Sequence, residues 1–135
     1  MTLFLKKISL CFSAGSLGGV VNALVVWIFG VLGIAQALGV AIAPELSRPF
    51  LYSKIVWGGI WGVIFLIPVA KKSPFIKGVV LSLAPTLAQL FFVFPVLLNK
   101  GIMGLDLGVL TPVLVIFYNA FWGITASYWL KATSD

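Results

Sequence analysis

Along the chain, charged positions fall in a few clusters separated by long apolar runs: residues 8–43, 55–70, 78–99 and 107–130 carry no charge at all. An α-helix needs about 20 consecutive apolar residues to cross a hydrocarbon core of about 30 Å. The pattern predicts membrane-crossing helices at about 50–70, 75–98 and 111–130. The first run is too long for one more, since a straight helix over 8–43 would measure roughly 54 Å at 1.5 Å per residue. A break near Gly30 to Gly33 leaves a first span of about 8–31 and a short apolar segment, Ile34 to Ala43, lying on or dipping into the far interface. Were that segment a full span, the chain would have five crossings instead of four.

The stretch Tyr52 to Lys72, around the second span, organises the rest. Its uncharged stretch lies between Lys54, reaching back to one interface, and Lys71 and Lys72 in water at the other. Gly58 and Gly62 are four apart, hence on one helix face, where missing side chains let another helix come close. The first span is their expected neighbour, because sequential antiparallel helices usually pack together. Pro68 and the lysine pair end this span; Pro85 and Pro95 should bend the third; and Pro112 suits the first turn of the fourth.

Composition supports the same class: 61% of the 135 residues are hydrophobic and 9% charged, against about 25% charged in soluble domains. One compact all-α domain spanning 1–135 is expected. The net charge of +6 gathers no basic face, so it reports topology and no nucleic-acid partner is expected. Lys6, Lys7, Lys71, Lys72, Lys77 and Lys131 sort to one side and Arg48, Lys54 and Lys100 to the other. The richer side should be cytoplasmic, which puts both termini, with Asp135, inside and Glu45 and Asp106 outside. Trp27, Tyr52, Trp57, Tyr128 and Trp129 come near span ends, as an interfacial aromatic belt requires.

Small residues recur at four-residue spacing on every span: Gly15, Gly19 and Ala23; Gly58 and Gly62; Gly78 and Ser82; Gly123 and Ser127. Tight packing within one bundle is one use of such stripes, and self-association through a leftover one, on the first span, is another. Asn22, Ser82, Thr86, Gln89 and Asn119 are polar residues within spans; the three amides fall in the outer half of the bilayer, where they either bond to one another or line a polar pocket or pore.

Catalysis lacks its groups. There is no histidine to serve as base and one cysteine, Cys11, so neither nucleophile activation nor a soft-metal or haem ligand set is available, and no cofactor is expected. A carboxylate within a span, which proton-coupled carriers use, is also missing. That excludes small multidrug exporters, which need one in the first span. Fluoride channels need a basic residue after their first glycines, where this chain has Asn22 and Ala23.

The halves echo each other. Gly33-Ile34, Leu38-Gly39-Val40 and Pro44 match Gly101-Ile102, Leu107-Gly108-Val109 and Pro112, and Trp61-Gly62 matches Trp122-Gly123. Each half would be span, outer loop, span, related to the other by an axis along the membrane normal if the duplication is real.

The third span from Lys77 through Gln89 to Pro95, the segment Phe117-Tyr-Asn-Ala-Phe-Trp-Gly123, and the style of Gly18 to Trp27 resemble the YagU-type proteins, small four-span proteins of bacterial inner membranes with no assigned function. The resemblance implies four spans, an inner-membrane location and both ends in the cytoplasm. Members carry histidines where this chain has Asn119 or Phe, so no pH-linked role carries over. The expectation is therefore a non-enzymatic inner-membrane protein that contacts lipid and self-associates or serves a membrane partner as accessory subunit. Its alternative is a small channel or carrier for a neutral or anionic solute.

Overall fold

The computed structural model describes residues 2–133 and is an all-α bundle of four helices, each long and apolar enough to cross a membrane: α1 (Leu3–Val31), α2 (Arg48–Leu66), α3 (Pro74–Leu97) and α4 (Thr111–Thr133). Asp135 lies outside the described residues. Helix starts follow local chemistry. The hydroxyls of Thr2, Ser47 and Ser73 accept hydrogen bonds from the N–H groups of Leu5, Phe50 and Ile76, and proline occupies the first turn of α2 and α3.

Three boundaries differ from the sequence reading by three residues or more, one of them the end of α4, which runs through Lys131 to Thr133 instead of stopping near residue 130. α1 begins at Leu3, five residues before the expected start, because the Thr2 cap lets the Lys6–Lys7 turn join the helix. α2 ends at Leu66 instead of near residue 70. Its last turn tightens to a 3₁₀ helix over Val63–Leu66, and Ile67 is extended, because the ring of Pro68 excludes the α conformation from the residue before it. In α3, Pro85 is embedded in regular helix, but from Gln89 to Leu97 the helix widens into π turns around Pro95.

Residues 34–43 do not cross the bundle. One helical turn, Ile34–Ala37, and the irregular chain after it cover the end of the bundle, burying Ala35 and Val40 against Val26, Leu114 and Tyr118. The N–H of Ala41 donates to the carbonyl of Leu107 at 2.9 Å, so the two echoing loops meet. Gly33 and Gly101 both have positive φ, 79° and 80°, but only Gly33, with ψ of 10°, is in the left-handed helical region; Gly101 has ψ of 167°. The five-span alternative is thereby removed.

α1 lies at the centre of the packing. On one side Gly15 and Gly19 meet Gly58 and Gly62 of α2 backbone to backbone; a Cβ on Gly62 would sit 2.8 Å from the Cα of Gly15. On the other side Gly18 receives Trp122 of α4, whose indole Cδ1 would be 2.8 Å from a Cβ there. Gly123 and Gly78 bring α4 onto α3 in the same manner. Ala23 is fully buried. The glycine faces named from sequence are thus occupied within the chain, including the α1 face expected to be left over for self-association.

The lateral order is α2, α1, α4, α3, and α2 and α3 do not pack along each other. Register explains the gap. Gly15 faces Gly62 as Gly78 faces Gly123, so Leu81 occupies in α3 the place that Gly18 holds in α1. Trp122 fits over a glycine; Trp61, its echo, would meet a leucine side chain and cannot close α2 onto α3.

Candidate functional site

The gap between α2 and α3 is a cleft of about 420 Å³. Lys54, Trp57 and Trp61 form its α2 wall and Pro85, Gln89 and Phe92 its α3 wall, while Asn22 of α1 and Asn119 and Trp122 of α4 lie at the back. A second cavity of about 450 Å³ continues under the loops, between Phe50, Tyr118, Lys100 and Pro44. Asn22, Lys54, Gln89 and Asn119 line both. These four side chains form a polar junction between a space open sideways, where lipid would lie, and a space leading to the loop end.

Asn119 is the hub. Its Nδ2 donates to Thr86 Oγ1 at 3.0 Å and to Gln89 Oε1 at 3.2 Å, and its Oδ1 accepts from Asn22 Nδ2 at 3.3 Å. Asn22 Nδ2 also donates to the carbonyl of Tyr118 at 2.8 Å. Asn22, Thr86 and Asn119 are 3%, 2% and 8% exposed, and polar groups so buried need partners. The network supplies most of them. It leaves Asn22 Oδ1 and the Tyr118 hydroxyl buried with no hydrogen-bond partner among the described residues, and both residues line the loop-end cavity.

Of the polar residues picked from sequence, Asn22, Gln89 and Asn119 therefore both bond to one another and face a cavity. Thr86 belongs to the network behind the wall, donating to the carbonyl of Ser82 at 2.8 Å. Ser82 donates to the carbonyl of Val79 in its own helix and packs beside Gly123, so it serves packing and no pocket.

Sequence reasoning missed Lys54 as a site residue. It sits six residues into α2, about 9 Å along the axis from Arg48. Its ammonium leans back one turn, 5.7 Å from the centre of the Phe50 ring, and the residue lines both cavities as it does so. No carboxylate pairs with it; Glu45 and Asp106, the acids among the described residues, belong to the loops. A cation within a membrane span that has no counter-charge is costly unless something compensates it. The signal was available: Lys54, Trp57, Gly58 and Trp61 follow helical spacing, so Lys54 shares a face with the glycine notch. Tyr118 carried no such sign, because aromatic residues fill that stretch of α4.

The tryptophan at the back is structural. Trp122 Nε1 donates to the carbonyls of Gly15, at 3.0 Å, and Gly58, at 3.3 Å, tying α4 to α1 and α2 at once. Glycines expose those carbonyls, which is how the notch and the cleft floor come to share residues.

Between apolar and aromatic walls the residues of the site hold two groups that can donate, the Lys54 ammonium and the Tyr118 hydroxyl, and one unpartnered acceptor, Asn22 Oδ1, the last two buried. That suits an anion carrying a hydrogen-bond donor of its own and joined to an apolar group. No known protein family, curated protein or solved structure matches this chain.

Proposed function

We propose that this protein is a non-enzymatic bacterial inner-membrane protein, both termini cytoplasmic, that binds an anionic amphiphile in the α2–α3 cleft and passes its head group toward the loop end. The reading develops the carrier alternative drawn from sequence. The observation that carries it is the polar junction: a lysine with no carboxylate partner faces the amide network where a cleft open to lipid joins a cavity beneath the loops. A ligand entering sideways keeps its tail against Trp57, Trp61 and Phe92 while its head neutralises Lys54 and meets Asn22 and Tyr118. Gln89 begins the π-helical segment of α3, and such wide turns occur frequently at functional sites.

The test is transfer across liposome membranes. Reconstituted protein should accelerate movement of a fluorescent anionic single-chain lipid between leaflets over its zwitterionic counterpart, and Lys54→Gln or Gln89→Leu should remove the preference. Equal rates for the two lipids, or a preference that survives both substitutions, would overturn the reading. The glycine faces on which self-association would have rested are occupied within the chain, so no observation favours that role over binding.

A further inference from the structure

A third cavity, of about 450 Å³, opens at the opposite end of the bundle, where the first turns of α1, the last turns of α4 and the α2–α3 turn meet. Lysines from every part of that end reach it: Lys7 from α1, Lys71 and Lys72 from the turn, Lys77 from α3 and Lys131 from α4. Under them the lining is apolar, with Leu10, Phe65 and Leu66. Lys7, Lys71, Lys72 and Lys77 pair with no carboxylate among the described residues, since Glu45 and Asp106 belong to the loop end. Lysines serving orientation alone need only lie on one side of the membrane; they need not converge on one concavity, where they repel each other.

A second observation points to a ligand. Ser127 lines the same cavity, is 4% exposed, and its hydroxyl makes no hydrogen bond among the described residues. A serine within a helix either bonds a carbonyl one turn back or turns its hydroxyl outward, and Ser127 does the second. Here the hydroxyl is left for something in the pocket.

We infer that this pocket binds the phosphate head group of an anionic membrane lipid, with Lys7, Lys71, Lys72 and Lys77 around the phosphate, Ser127 donating to it, and the acyl chains against Phe65 and Leu66. The apolar floor and the position at the helix ends favour a lipid over a soluble phosphate, because head groups lie at that depth and basic pockets between helices hold them. The site is separate from the α2–α3 cleft and stands or falls independently of it.

Thermal unfolding of the full chain in a neutral detergent tests this, with phosphatidylglycerol, phosphatidylcholine or inorganic phosphate added at equal phosphate concentration. Phosphatidylglycerol should raise the melting temperature saturably while the other two do not. Replacing Lys71 and Lys77 together by Gln should weaken that response by about ten-fold or more, given the usual attraction of a lysine for an anionic lipid. Lys6→Gln, which removes a charge of the same sidedness outside the pocket, should change it less than about two-fold. Ser127→Ala should weaken it without altering stability in lipid-free detergent. Equal stabilisation by inorganic phosphate would reassign the pocket to a soluble anion and overturn the lipid claim. Indifference to head group, or an effect of Lys6→Gln equal to that of the pocket pair, would reduce the lysines to topology signals and overturn it entirely.

Discussion

Trp122 and Lys54 both line the α2–α3 cleft and should act in opposite senses on stability. Trp122→Phe keeps an aromatic ring beside Phe65, whose centre lies 5.7 Å away, but loses both bonds to the Gly15 and Gly58 carbonyls. A cost of about 1–2 kcal/mol is expected in detergent unfolding, as for other interhelical hydrogen bonds. Lys54→Met retains the aliphatic stem and removes an unpaired charge, so melting should hold or rise while affinity for an anionic amphiphile falls by about ten-fold or more. A large loss of stability in Lys54→Met would show that the lysine serves the fold and not a ligand. At this scale the amides were legible from sequence, because helical spacing put Thr86 and Gln89 on one face and Asn119 with Gly123 on another. The direction of Lys54 was not: a long flexible side chain four residues from a glycine notch can reach toward the interface or along a cavity, and only the separation of α2 from α3 decides between them.

Among elements, the α1–α2 contact is the most constrained. Gly62→Leu would drive a side chain into the Gly15 backbone, and overpacking of that kind typically costs about 1–3 kcal/mol. Melting temperature and oligomer size measured together check it. A lower melting temperature at constant size is expected; unchanged melting with altered assembly would mean that the notch faces a partner. The Gly15–Gly19 and Gly58–Gly62 spacing announced this contact directly. The ends of α2 and α3 were less legible, since Pro68 acts through the residue before it and Pro95 sits within π turns where sequence suggested only a bend. The segment 34–43 is apolar for a reason that one-dimensional patterning cannot reveal: it caps Val26, Leu114 and Tyr118 at the bundle end and contacts the second loop through Leu107.

For the whole molecule, four helices long and apolar enough to cross a membrane were readable from the uncharged runs, but the lateral order α2, α1, α4, α3 was not. It depends on which helix finds a glycine where a tryptophan must dock, and Gly18 against Leu81 makes that choice. Lysine sidedness predicts the orientation: reporter fusions after Lys131 and in the 99–108 loop should read as cytoplasmic and periplasmic respectively, and the reverse pattern would exchange the faces to which the two ends of the bundle open.

The cleft can be interrogated by the tryptophans in its wall. Trp57, 59% exposed, and Trp61 lie at the mouth, so protein in zwitterionic nanodiscs can be titrated with an anionic single-chain amphiphile whose tail carries bromine, a contact quencher of indole fluorescence. Saturable quenching is expected, lost in Lys54→Met and much reduced in the Trp57→Phe, Trp61→Phe double variant. Quenching that rises linearly with lipid content, and equally in wild type and Lys54→Met, would contradict a binding site in the α2–α3 cleft.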